Sequence, residues 1–491
     1  MGCTSYLNPK PGRRSLRALT RVPAIVLLAG VFLWVPARAE PTPTGDVIAQ
    51  MFGWNWRSIG RECRETLGPL GYGAVQTAPA QEHSRWPERG YPWWSSYSPV
   101  SHSLDSRWGT RAELAEMVRS CHGAGVRVYV DAVVNNTSGV RGCDTGSAGA
   151  EYCHFSYPSV PYSRADFHHC GTPHDAIQDF RDRYHVQHCE TFELADLATE
   201  KDHVRDRIAD YLNDLLALGV DGFRIDSAKH VAAEDLSAIF DRLDRPAYIY
   251  QEVVYGVDEA VRPEEYLGNG DAIDLRYAAG LSAIFRHGRL RELGNFGSEL
   301  PSASSVVFVD NHDTKRSRAT LSQLDGERYV LASAFVLAWP YGRLKVLSDY
   351  VFRHYDQPPP SDPDGRAADA DCADPRWLCE HSAAGIAGLI GFRRAVGDAP
   401  VRDWADDGAN LISFGRGEAG YLILNGGTSD ARATFRTALP AGTYCDVMHG
   451  LVRNGSCTGP VYTVDHGGRL HAEVPALSGI ALHVGSAISG G

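Results

Sequence analysis

Beyond its first 39 residues the 491-residue sequence has no apolar run long enough to cross a bilayer as a helix. It has no CxxC pair and no Cys/His spacing of the zinc type, which excludes metal–thiolate chemistry in spite of eleven cysteines. It also lacks an excess of positive charge. A formal net charge of −12 disfavours nucleic acid and anionic membranes, whereas a neutral polymer would be indifferent to it. The 43% hydrophobic and 22% charged fractions are those of an ordinary globular chain and single out no function.

What is present begins with an export signal over residues 1–39. Arg13, Arg14, Arg17 and Arg21 precede the apolar run Val22 to Val35, and Ala37-Arg38-Ala39 offers a small-x-small cleavage site. Arg13-Arg14 leaves the twin-arginine and general secretory routes both open. The segment carries six basic residues and no acidic one, so its removal takes the net charge from −12 to −18. Cys3 goes with it, and the ten cysteines that remain can all pair in an oxidising compartment. A secreted protein free of the membrane is therefore expected.

Along the rest of the chain, short apolar or β-branched runs alternate with helical patterns. The runs are Ile48 to Trp54, Ala74 to Thr77, Val126 to Val134, Val220 to Ile225, Tyr248 to Val253, Ile273 to Tyr277, Val306 to Val309 and Leu344 to Leu347. Between them, Arg111 to His122 and Asp202 to Leu218 repeat apolar residues at three- and four-residue spacing. Eight such units predict an α/β fold, a (β/α)₈ TIM barrel over about residues 40–396. Residues 136–195 are too long and too rich in Gly, Ser, His, Cys and Pro for a βα loop, and predict an irregular subdomain inserted after the third strand. From residue 397 to 491, short alternating segments with Gly turns predict a C-terminal antiparallel β-sandwich.

Three of the strands end in a carboxylate: GVDGFRIDSAKH (219–230) in Asp226, YIYQEVVYG (248–256) in Glu252, and SVVFVDNHD (305–313) in Asp313. One acid at a strand end is often only a helix cap or a solvated loop residue. Three together suit glycoside chemistry, which needs a nucleophile, a proton donor and negative charge beside an oxocarbenium-like transition state. Strand alternation puts Arg224 on the same face as Asp226, where a guanidinium would keep the carboxylate ionised. With VYVDAVVNN (128–136) and ELADL (193–197), these segments make five ordered motifs. On them the chain resembles the α-amylases of glycoside hydrolase family 13, nearest their animal and actinobacterial branch.

That resemblance implies a secreted, retaining, endo-acting enzyme cutting internal α-1,4 bonds of starch or glycogen as a monomer. Asp226 would be the nucleophile, Glu252 the acid and then base, its proton held near neutral pH by apolar and anionic surroundings, and Asp313 the stabiliser of the distorted sugar. Arg224, Lys229, His312 and Asn136 would contact substrate, with Asp131 behind Arg224. Trp93, Trp94 and Tyr97, in an aromatic cluster that reads as exposed, would offer stacking faces. Calcium would be held by Asn135, Asp196 and the carbonyls of Gln187 and His230, and chloride by Arg224, Asn311 and Lys345. The resemblance also implies disulfides 63–121, 170–189, 372–379 and 445–457, which leaves Cys143 with Cys153.

One position departs from the pattern: Asn136 stands where most of the family has a histidine, and an amide is shorter and cannot become cationic. An exo-acting maltooligosaccharide hydrolase or transglycosylase with the same acids, and a non-catalytic glucan-binding homologue, are the alternatives. No Ser/Thr/Pro linker follows the sandwich, so no further starch-binding module is expected.

Overall fold

The computed structural model describes residues 45–488; the export signal expected over 1–39 lies outside them. Eight parallel strands pair in sequence order, and the last closes on the first. They are β1 (Ile48–Met51), β2 (Ala74–Thr77), β3 (Arg127–Val133), β4 (Gly222–Asp226), β5 (Tyr248–Gln251), β6 (Asp271–Ile273), β7 (Ser305–Val307) and β8 (Arg343–Tyr350). Closure leaves no free sheet edge and buries each strand on both faces, hence the near-continuous apolar runs. One expected strand differs. Ile273 to Tyr277 is not all strand: β6 ends at Ile273, Asp274 caps with its side chain on the Tyr277 N–H, and a helix runs from Leu275 to His287. A short apolar run fits either state, and the cap decided it.

The outer helices have ordinary causes. Thr110 and Glu113 form a reciprocal capping box that starts the helix Arg111–Gly123. Asp202–Ala217 turns Val204, Ile208, Leu212 and Leu215 inward at three- and four-residue spacing. Between β3 and the helix Asp202–Ala217 the chain is largely irregular, with a hairpin (Cys143–Thr145 with Glu151–Cys153) and a short helix, Arg183–His188. Five disulfides form, joining Cys63–Cys121, Cys143–Cys153, Cys170–Cys189, Cys372–Cys379 and Cys445–Cys457.

The C-terminal region is two antiparallel sheets and a two-stranded ribbon, Val452–Arg453 with Ser456–Cys457. Four strands (401–406, 411–416, 420–425 and 478–483) face five others between 431 and 488. In the strand Gly420–Asn425, Tyr421 and Ile423 enter the core between the sheets, while Leu422 and Leu424 pack on the barrel side. Period-two alternation thus explains why all six of its residues are buried. No helix among the described residues is long and apolar enough to cross a membrane.

Candidate active site

The C-terminal ends of β3, β4 and β5 and the turn after β7 converge on one guanidinium. Arg224, 1% exposed, donates from Nη1 to Asp131 Oδ1 (2.6 Å) and Asp226 Oδ1 (2.7 Å). Its Nη2 lies 2.6 Å from Glu252 Oε1, an ion pair too bent to be a straight hydrogen bond. The other oxygen of Glu252 accepts from the backbone N–H of Ser227 (3.0 Å), a residue held at φ 48° directly after Asp226. A left-handed serine is uncommon outside functional turns. Burial raises Asp226 well above the ordinary carboxylate range, Arg224 opposes that, and Glu252 and Asp131 reinforce it.

His312 links this cluster to the third acid. Gln50 Nε2 lies 3.0 Å from His312 Nδ1, Tyr97 Oη 3.2 Å from Nε2, and Asp313 Oδ2 3.2 Å from Nε2. An amide NH₂ can only donate, so Nδ1 accepts and Nε2 carries the proton towards Tyr97 and Asp313. Tyr97 then donates to Asp131 Oδ2 (2.9 Å). Burial, with Arg224, Arg316 and Lys345 nearby, keeps the imidazole neutral. Its faces are covered by Phe52 (4.5 Å) and Tyr97 (5.6 Å), both stacked. Asp313 keeps 43% of its side chain open to solvent, yet burial of the rest and the Glu252 carboxylate push it up to about 7.

The aromatic turn sits deeper than its sequence suggests. Trp93 is 4% exposed and Tyr97 8%; Trp94 is half-buried. Trp93 donates to the Tyr355 carbonyl (2.7 Å) and Trp94 to Asp356 Oδ1 (2.8 Å), so both rings are fixed by the loop after β8. Asn136 is 2% exposed, its amide donating to the carbonyls of Tyr97 (3.1 Å) and Thr137 (3.3 Å). Lys229 pairs with Glu259 and lies over the Phe180 ring (4.8 Å). Gln50 and Phe52 went unnoticed in the sequence, although a polar residue near the end of β1 is itself a signal in a barrel. Arg316, with Phe52, Trp93, Tyr350 and Phe352 around its guanidinium, left no sequence signal.

Two groups of side chains are left short of partners. Asn135 Oδ1 and Nδ2 and Asp196 Oδ1 are buried without hydrogen bonds, while Asp196 Oδ2 is 2.6 Å from His168 Nδ1. The segment bearing Gln187 is tied to the one bearing His230, whose Nδ1 donates to the Val186 carbonyl (2.8 Å). Two orphaned oxygens beside these segments fit a hard cation. In β8, Lys345 is 1% exposed and its Nζ has no partner; the Phe308 ring lies 5.2 Å away. Burial and then Arg224 bring it down to about 7. A buried, unpartnered cation that feels the charge of a second one fits an anion. Asn311 borders this region and spends its Oδ1 on the N–H groups of Asp313 and Thr314. Glu62, Cys372 and His381 also come together as metal ligands would, but the Cys372 sulfur is taken by its disulfide.

Comparison with known proteins bears on the family and the fold. Residues 73–252 match the family described as alpha amylase, catalytic domain, and residues 402–485 that described as alpha amylase, C-terminal all-beta domain. An alpha-amylase of Thermomonospora curvata is 44% identical over 96% of this chain and 79% of its own. An alpha-amylase-related protein of Drosophila melanogaster is 39% identical over 89% and 93%. The crystal structure of wild-type alpha-amylase I from Eisenia fetida superposes with a TM-score of 0.86 at 34% identity, covering 90% of this chain and 98% of that one. A mutant of the same Eisenia fetida enzyme, in complex with maltohexaose, gives 0.87 at 33% identity, covering 91% and 98%.

Proposed function

The chain belongs to the α-amylase family of glycoside hydrolases, and from that premise we propose a secreted, retaining, endo-acting α-amylase that cuts internal α-1,4 bonds of starch or glycogen as a monomer. The observation that carries this reading is the single guanidinium of Arg224 touching both Asp226 and Glu252. Carboxyl groups that share one such fork lie close enough for the ~5 Å separation of retaining enzymes. Asp226 attacks the anomeric carbon and forms the glycosyl-enzyme as the bond to the leaving oxygen breaks. Glu252 gives that oxygen a proton, then takes one from the incoming water. Asp313, open to the cleft, accepts from sugar hydroxyls. His312 holds a neutral N–H towards it. Trp93 and Tyr97 act as the floor of the cleft, and Trp94 keeps an accessible face.

Asn135 and Asp196, with the carbonyls of Gln187 and His230, would hold calcium; there it would brace the inserted segment of residues 136–195 against the barrel. Arg224, Asn311 and Lys345 would hold chloride, which would supply a fixed negative charge beside Glu252. In this reading residues 1–39 are removed on export, residues 40–396 form the catalytic unit and 397–491 an accessory sandwich. The test is hydrolysis of soluble starch by the mature chain and by Asp226→Asn. Viscosity should collapse well before reducing ends accumulate, and Asp226→Asn should lower kcat at least about a thousandfold. Reducing ends without loss of viscosity would mean exo-action, and binding without turnover a non-catalytic homologue.

A further inference from the structure

The end of β1 brings two side chains to His312. Gln50 and Phe52 stand two residues apart, and the Phe52 N–H continues the ladder to the Ser348 carbonyl (2.8 Å), so alternation sends both the same way. Phe52 stacks on the imidazole (4.5 Å, 17° between planes) and Tyr97 lies nearly parallel to it (5.6 Å, 9°), which fixes the plane of the ring. Stacking does not choose which nitrogen carries the proton. That choice falls to the contacts at the ring edge. At Nδ1 the contact is Gln50 Nε2, 3.0 Å away and, like the ring, buried.

The protons around this ring can be counted. Tyr97 spends its single proton on Asp131 Oδ2 (2.9 Å), and Asp131 is itself held by Arg224. The Asp313 carboxylate, 3.2 Å from Nε2, accepts. Both neighbours of Nε2 are therefore acceptors, and Nε2 carries a proton. A neutral ring then has a lone pair at Nδ1, which the NH₂ end of the Gln50 amide complements; a half-turn of the amide would set Oε1 against that lone pair. The alternative is a second proton on Nδ1 with the amide turned to accept it. Asp313 and, through Tyr97, Asp131 invite that proton, while burial and the charges of Arg224, Arg316 and Lys345 oppose it.

We propose that Gln50 is a positioning residue for the reaction: its NH₂ group occupies Nδ1, keeps that nitrogen from taking a second proton, and so presents His312 as a neutral N–H donor beside Asp313. This rests on the retaining-hydrolase reading above. The transition state of that chemistry gains positive charge at the anomeric carbon. An imidazolium beside it would oppose that charge and cancel part of the Asp313 carboxylate, whereas a neutral N–H does neither.

The test pairs proton positions with kinetics. Imidazole nitrogen NMR of the histidine-labelled chain, with the His312 signals assigned by difference against His312→Asn, should show Nε2 protonated and Nδ1 bare in the unaltered protein. Gln50→Glu puts a carboxylate at Nδ1 and should protonate it; kcat on soluble starch should then fall about a hundredfold while KM moves less than about threefold. Gln50→Met keeps the bulk without the N–H, so the ring should stay neutral and kcat should fall less than in Gln50→Glu. A proton on Nδ1 of the unaltered chain overturns the proposal by itself, whether or not either variant folds. So does Gln50→Glu with unchanged kcat, or a loss in Gln50→Met as large as in Gln50→Glu, since packing alone would then be at work. In each of these cases the hydrolase reading stands. An unaltered chain that leaves starch intact would remove that reading, and this role with it.

Discussion

Lys315 and Lys345 are equally buried, at 1% exposure, and in opposite electrostatic states. Lys315, in the helix His312–Ser317 that carries Asp313, has Glu380 Oε1 at 2.9 Å and Asp349 Oδ2 at 3.7 Å. Burial alone would lower it, but Glu380, Asp349 and Asp310 raise it above the usual lysine value. Lys345, in β8, has no such partner; burial and then the Arg224 charge bring it down to about 7. Partner supply, more than burial, decides the charge of an interior lysine. The ion pairs of Lys315 and Arg316 with Glu380 and Asp349 brace the helix of Asp313, whereas Lys345 Nζ has no partner.

The comparison can be broken first on its paired side. Glu380→Gln removes the charge nearest Lys315 and leaves Asp349 as its ionic partner at the longer distance, and should cost about 3 kcal/mol in urea unfolding, near the lower end of what breaking a buried pair costs. Lys345→Met removes a charge that has no partner; stability in chloride-free buffer should rise by about 1 kcal/mol, and any stimulation of starch hydrolysis by chloride should vanish. A drop like that of Glu380→Gln would refute the contrast.

The pH dependence follows from sign. The folded Lys345 loses its proton near 7 and the unfolded one near the ordinary lysine value, so between those limits the unfolded chain binds more protons. For this group stability therefore rises with pH over that window, and Lys345→Met should flatten the rise. An anion favours the ammonium form, so chloride affinity should fall about tenfold per pH unit once pH passes about 7; fluorescence titration at pH 6 and pH 9 checks it. The smallest effect is expected at Asn136, whose amide is already satisfied. Asn136→His gives up the bond to the Tyr97 carbonyl and should lose about 1 kcal/mol on thermal unfolding.

The barrel was legible because each strand is a short apolar run ending in polar residues, and the sandwich because its segments alternate with period two. The same logic failed at Ile273 to Tyr277, where one capping aspartate turns strand into helix. The three acids and Arg224 stood out through strand-end position and alternation. Gln50 and Phe52 did not, since nothing local says that β1 delivers them to His312, 262 residues on from Gln50. The depth of Trp93 was equally hidden, because the loop that covers it comes from Tyr355.

By itself the sequence determined that Asp226 and Glu252 sit at strand ends, the order of the eight strands, and the even set of cysteines available to pair; Asp313, expected at a strand end too, lies in the helix that follows β7. These follow from local periodicity and residue chemistry. Only the tertiary structure decided which buried groups go without partners: the ammonium of Lys345 but not that of Lys315, and the amide of Asn135 but not that of Asn136. Satisfaction of a polar group depends on atoms brought from remote segments of the chain, and no local pattern records whether those atoms arrive.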